Sequence, residues 1–196
     1  FTGVTTFMID EQIDTGKILF QESCAVEPYE NAGEVHDKLM ALGAELVVRT
    51  VDAIEDRKAR GYEQRMSVDK KLQPAPKLNR DNTRIDWNLD AQSLFNFVRG
   101  LSPYPAAWTT LVGDTGESLN VKIFEAQMVE TEGSLAPAGT LVVASDSDSK
   151  RRYIDVHCGE EGRLLRIKQL QLAGKKRMDT GSFLLGFRNP EKYHFV

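Results

Sequence analysis

Two different periods of apolar residues divide this chain. Short apolar runs at residues 4–9 and 17–24 flank a polar turn that holds Asp10, Asp14 and Gly16. Such runs, punctuated by Asp and Gly, read as two strands joined by a turn. From Gly33 to Asp56 the spacing changes to three and four, through Val35, Leu39, Leu42, Leu46, Thr50/Val51 and Ile54. That period predicts a long amphipathic helix. Glu34 and Asp37 in its first turn suit the positive end of the helix dipole.

Residues 57–83 lose both periods. They are polar, carry Pro74 and Pro76, and read as an extended connector. A short helix capped by Asp90 follows, with Leu94, Phe97, Val98 and Leu101 on one face; Gly100 and the Ser102-Pro103 step end it. Beyond Pro105 the pattern is strand and turn, with strands predicted at 106–112, 120–129, 139–143, 153–157 and 163–172. In the last of these the apolar phase moves from Leu165 and Ile167 to Leu170 and Leu172, which implies a bulge or sharp bend. Five short strands in about 70 residues predict a small antiparallel β-barrel of the OB type. A short helix over 179–186 completes the pattern. The expected organisation is the remnant of an α/β domain (1–66), a linker (67–83) and an OB-like barrel domain (84–196).

Composition narrows the function classes only slightly. The 196 residues are 41% hydrophobic and 28% charged, ordinary for a globular protein, and the formal net charge is −4. No overall basic field announces a nucleic-acid partner, so such a partner has to meet a local patch. No run approaches the ~20 apolar residues of a membrane helix. Cys24 and Cys158 stand alone, with no CxxC and no histidine at metal spacing, which predicts free thiols in a reducing, cytoplasmic setting. The chain opens on Phe1 inside a strand-like run, as if the sequence begins within a domain.

The candidate chemistry is sparse. Asp14 in Ile-Asp-Thr-Gly is either a turn former, its side chain bonding nearby backbone, or a catalytic carboxylate whose partners lie elsewhere. His36, His157 and His194 lie on a helix, in a strand and in the tail, with no pattern that marks a general base. There is no GxSxG, no phosphate-binding glycine loop and no zinc spacing. Residues 150–177 hold nine Lys/Arg against three Asp/Glu, among them Lys150, Arg163, Arg166, Lys168 and the run Lys175, Lys176, Arg177. They form either a solvated face or a phosphate-tracking stripe. Lys70, Lys71, Lys77 and Arg80 extend the basic set into the connector. LSPYPAAWT at 101–109 reads as a rigid elbow packed by its aromatics, with base stacking by Tyr104 or Trp108 as the other reading.

Three separated stretches resemble the methionyl-tRNA formyltransferase family: TGVTTFMIDEQIDTGKILFQ, PAPKLNRDNTRIDW running into LSPYPAAWT, and LQLAGKKRMDTGSFLLG. The similarity runs from Thr2 to about Gly186. It implies the end of a Rossmann-like formyltransferase domain followed by an OB-like C-terminal domain. It further implies formyl transfer from 10-formyltetrahydrofolate to the α-amine of methionyl initiator tRNA, by a monomer that needs no metal. By this resemblance Asp14 is the aspartate of an Asn-His-Asp constellation whose Asn and His lie upstream of Phe1, so the chain alone is expected to be inactive. Lys77, Lys175, Lys176 and Arg177 become candidate tRNA contacts. Two other readings stay open: another folate-dependent formyltransferase, acting on an amino sugar or hydrolysing the cofactor, and a stand-alone nucleic-acid-binding module.

Overall fold

The computed structural model describes residues 1–64, 74–132, 136–145, 151–159 and 161–196. The chain divides into two compact units, 1–77 and 78–196.

In the first unit, β1 (Thr2–Phe7) and β2 (Ile18–Cys24) pair antiparallel, with Thr2 opposite Cys24 and Thr6 opposite Phe20. The first strand stops at Phe7, two residues short of the predicted end, because Met8 already donates its N–H to the Lys17 carbonyl (2.9 Å) and the chain leaves as a loop. Helix α1 (Ala32–Glu55) packs on both strands. A capping box starts it: Asn31 accepts from the Glu34 N–H (3.0 Å) and Glu34 accepts from the Asn31 N–H (2.8 Å). Leu46 and Thr50 are buried, and the Thr50 hydroxyl bonds that of Thr6 on β1 (2.9 Å). Tyr62 returns alongside β2 and exchanges both backbone hydrogen bonds with Ile18. The outer face of α1 leaves Val47, Val48 and Val51 exposed.

In the second unit, helix α2 (Ala91–Leu101) is capped by Asp90, which accepts from the backbone and hydroxyl of Ser93. It buries Ala91, Leu94, Phe95, Val98 and Leu101. Phe95 reaches full burial, whereas Phe97, expected on this face, packs half-buried at the core margin. Around it runs an antiparallel sheet of β3 (Ala107–Gly113), β4 (Ser118–Glu130), β5 (Leu141–Ser145), β6 (Arg152–His157), β7 (Arg163–Leu172) and β9 (Tyr193–Phe195). Their spatial order is β5-β6-β7-β4-β3-β9, and β8 (Met178–Asp179) pairs with β7. Helix α3 (Thr180–Gly186) and a 3-10 turn (Pro190–Lys192) lie between β8 and β9.

The predicted phase slip is present on both sides of one ladder. Between β4 and β7 the pairs Ile123–Leu170, Glu125–Gln169 and Ala126–Ile167 leave Phe124 and Lys168 as extra residues. Leu165, Ile167 and Leu170 thereby all face the core while the sheet bends. The bend curls the sheet until its edges meet: Phe195 donates its N–H to the Gly139 carbonyl (2.9 Å), and Thr140 bridges His194. Gly139 has φ +87, and a Cβ there would lie 2.1 Å from the Phe195 oxygen, so only glycine fits.

The segment before α2 is held to the sheet as firmly as a strand. Ile85 donates to the Trp108 carbonyl (2.8 Å) and Trp108 to that of Thr83 (3.1 Å). Trp87 stacks on Phe195 at 5.2 Å, and its indole N–H bonds the buried Thr109 hydroxyl (2.9 Å), which donates in turn to the Val196 carbonyl (3.0 Å).

Candidate functional site

The loop at 8–17 places Asp14. Asp10 accepts from the Gln12 N–H (2.9 Å) and the Thr15 hydroxyl (2.8 Å), a local turn closed by its own carboxylate. Gly16 is buried, and a Cβ on it would lie 1.5 Å from the Met8 carbonyl oxygen, so the loop cannot close this tightly around any other residue. Gln64 donates to the carbonyls of Asp14 and Gly16, both at 2.8 Å, bracing the loop from the unit's far end in sequence. Asp14 itself sits at φ +59, in the left-handed region that Asp tolerates better than most residues.

The turn-forming carboxylate is therefore Asp10. The Asp14 carboxylate is exposed and has no hydrogen-bond partner among the described residues. A fixed backbone under an unengaged carboxylate can accept an N–H from a group brought to it, and can hold or orient a cation. His36, the histidine of this unit, pairs with its neighbour Asp37 (3.1 Å).

The second unit sorts the basic residues into two sets. Arg166 is bidentate to Asp155 (2.8 and 2.9 Å), and Lys168 lies 3.3 Å from Glu125. These cations are neutralised within the sheet. Lys175 and Lys176 occupy the turn after β7, which Gly174 allows at φ +74, and are exposed with no acidic partner among the described residues. Arg177 is held differently, by Gln169 (2.7 Å) and over the Phe124 ring (4.4 Å). Lys77 is exposed at the end of the first unit. Lys70, Lys71 and Lys150 lie outside the described residues.

Beside the basic turn runs a groove of about 660 Å³, lined in part by Arg80, Tyr104, Trp108, Asn120, Lys122 and Gln171. The Arg80 guanidinium stacks on Trp108 at 4.2 Å, and the indole N–H bonds the Arg80 carbonyl (2.7 Å). Lys122 donates to the Pro105 carbonyl (3.0 Å). Among the described residues no carboxylate lines the groove. The elbow at 101–109 thus separates its two rings: Trp108 packs under Arg80, while Tyr104 stands 86% exposed. Sequence reasoning weighed both aromatics and noted Arg80, but not Lys122 or Asn120. Their convergence depends on strand register, for which spacing along the chain gives no sign.

Among the described residues no group of His, Cys, Asp and Glu could hold a metal ion, and no helix is long and apolar enough to cross a membrane. Neither Cys24 nor Cys158 is in a disulfide, and the Cys158 thiol donates to the Arg163 carbonyl (3.3 Å).

A helix-backed hairpin with a fixed Asp-Thr-Gly loop, followed in the chain by a curled antiparallel sheet, has a family counterpart. The chain belongs to the formyl transferase family: residues 77–188 match the family model for the formyl transferase C-terminal domain, and residues 1–51 match the model for formyl transferase. Within that family it is similar to methionyl-tRNA formyltransferase of Parabacteroides distasonis, 44% identical over 194 residues, covering 98% of this chain and 57% of the relative. The enzyme of that name from Flavobacterium johnsoniae is 42% identical over 185 residues, covering 94% of this chain and 55% of the relative. The chain therefore spans little more than half the length of these relatives. Among solved structures, HypX from Aquifex aeolicus in complex with tetrahydrofolic acid shares the fold at TM-score 0.62 and 17% identity, covering 93% of this chain and 29% of that one. An N-formyltransferase from Helicobacter canadensis, in complex with folinic acid and dTDP-3-aminofucose, aligns at TM-score 0.52 and 16% identity, over 84% and 54%.

Proposed function

We propose that the protein containing these residues transfers a formyl group from 10-formyltetrahydrofolate to the α-amine of methionine carried by initiator tRNA. The observation that carries the reading is the extent of the similarity: identity above 40% runs through both units to relatives named for this activity. The first unit is read as the closing part of a Rossmann-like formyltransferase domain, which the exposed Val47, Val48 and Val51 on α1 support, and the second as an OB-like barrel.

The folate donor supplies an activated formyl carbon. The neutral amine adds to that carbon, the carbonyl oxygen gains negative charge, the amine loses a proton, and the bond from carbon to the donor nitrogen breaks. Such a step calls for donors to the oxyanion and a group that manages the proton. Asp14 suits the supporting part: its carboxylate is unengaged and its backbone is fixed by Gln64 and Gly16. It would accept the N–H of an imidazole, setting that ring's tautomer and stabilising its charged form. The chain has no Asn-x-His, so amide and imidazole come from residues outside these 196, and the chain alone is inactive. Lys77, Lys175 and Lys176 would contact the tRNA backbone, with a smaller part for Arg177, which Gln169 and Phe124 already hold.

Single-turnover formylation by the full-length protein tests this. Asp14→Asn should lower the rate by orders of magnitude, on the scale of the ~10⁴ lost when an orienting aspartate is neutralised in the serine-protease triad, with tRNA affinity unchanged. A mutant that formylates at the wild-type rate removes Asp14 from the chemistry. A preference for a sugar amine over methionyl-tRNA overturns the acceptor assignment.

A further inference from the structure

We infer that the groove between Arg80, Tyr104 and Lys122 seats one unpaired RNA nucleotide, held by stacking and by a phosphate contact. The inference deepens the tRNA reading and rests on it: if RNA is the substrate, this is where an unstacked base is taken. Recognition of single-stranded RNA uses aromatic or guanidinium planes for the base, hydrogen-bonding side chains for its edge and cations for the phosphate. All three are present here.

Two planes are available. Tyr104 projects 86% exposed from the elbow, an unusual position for a ring that has no packing role. The Arg80 guanidinium lies over the Trp108 ring at 4.2 Å, which removes much of its freedom before any ligand arrives. Three carboxamides line the same groove, and each has one end occupied. Asn79 Oδ1 accepts from Asp81 and Asn82, Asn120 Oδ1 accepts from Arg80 (3.4 Å), and Gln171 Nε2 donates to the Lys175 carbonyl (2.8 Å). The amide nitrogens of Asn79 and Asn120 and the Gln171 oxygen are without partners among the described residues, leaving two donors and an acceptor for a base edge. Lys122, whose ammonium among the described residues bonds only the neutral Pro105 carbonyl, supplies phosphate charge, and Lys175 and Lys176 follow the lining residue Gly174. A groove built for a cationic or purely apolar ligand has no use for this combination. The absence of any carboxylate from the lining, in a chain of net charge −4, also favours an anion.

The test uses full-length protein and a fluorescently labelled hexauridylate, with polyphosphate as an anion lacking bases. Tyr104→Ala should weaken hexauridylate binding by between about five- and a hundred-fold, the range for loss of one stacked base, while leaving polyphosphate binding unchanged. Tyr104→Phe should restore binding, since the plane and not the hydroxyl is used. Because Tyr104 is exposed, neither change threatens folding, and an unchanged urea midpoint reports that the core is intact. Equal binding of hexauridylate by wild type and Tyr104→Ala overturns the nucleotide seat; if methionyl-tRNA is still formylated, the functional reading stands without it. If neither RNA binds nor methionyl-tRNA is formylated, the tRNA reading itself fails and the seat falls with it.

Discussion

Neutralising Lys175 and Lys176 together should flatten the salt dependence of tRNA binding by an amount the structure sets. Three cations occupy this turn, but they are not equivalent. Arg177 is tied to Gln169 and covers Phe124, whereas the two lysines are exposed and have no acidic partner among the described residues. Two phosphate contacts are therefore expected from three charges. Each contact on duplex RNA contributes about 0.9 to the slope of log K against log salt, taking the duplex DNA value, so Lys175→Ala with Lys176→Ala should lower the slope by about 1.8. Referred to 1 M salt, where the two proteins converge, that slope corresponds to roughly a thirty-fold loss of affinity at 0.15 M. Arg177→Ala should change the slope less than either lysine. Lys168→Ala is the control, because its ammonium is already matched by Glu125 at 3.3 Å. The assay is tRNA binding by full-length protein between 0.05 and 0.5 M potassium chloride, by filter retention or anisotropy. A double mutant with the wild-type slope, or a Lys168→Ala slope equally flattened, refutes the assignment of contacts to this turn.

Two further expectations concern stability of the second unit. Gly139→Ala should lower the urea midpoint, at a cost of about 1–3 kcal/mol, since the new methyl strikes the Phe195 carbonyl at a backbone angle that disfavours alanine; an unchanged midpoint would mean that the contact between sheet edges is dispensable. Asp90 and Asp179 are both held below the usual aspartate range, chiefly by the hydroxyls of Ser93 and Ser182 and then by those residues' backbone N–H groups. A carboxylate whose folded pKa is depressed stabilises the fold above its unfolded value, about 3.9, and loses that contribution as pH falls through the lowered folded value. Acid unfolding of Asp90→Asn with Asp179→Asn should therefore show a weaker fall in stability below pH 4 than wild type; identical acid limbs would show that the caps are not linked to pH.

Legibility in the sequence followed the range of the interaction. Helix α1 was readable because its period of three and four is a local property; the Asn31–Glu34 capping box, though equally local, was not read. The slip in β7 was readable because the apolar phase is written along one strand, although its partner bulge at Phe124 was not. β9 was missed: three residues are too few for alternation, and Phe195 earns its place by stacking on Trp87 and closing onto Gly139, both distant in sequence. The tight association of Thr83 and Ile85 with Trp108 was likewise invisible in a polar stretch with prolines. At the site, Asp14 was legible as a candidate and the choice between its two roles was not. The turn-forming hydrogen bonds fall to Asp10, and the Asp14 carboxylate has no partner among the described residues.

The same logic of compensation bears on the basic residues, where counting charges could not separate a solvated face from a phosphate-tracking one. A surface that needs only solubility mixes signs, and much of this sheet does: Arg166 meets Asp155, and Lys168 meets Glu125. Other carboxylates are committed to helix caps, as at Asp90 and Asp179. Some of the cations that remain are clustered. Arg80, Lys122, Lys175 and Lys176 lack acidic partners among the described residues, and they line or adjoin a groove without a carboxylate in its lining. Leaving like charges together costs free energy through mutual repulsion, and that cost is offset when a polyanion displaces the counterions. An acidic chain that keeps such a cluster beside an exposed tyrosine is arranged for binding an anion with a flat ring attached, and RNA presents both.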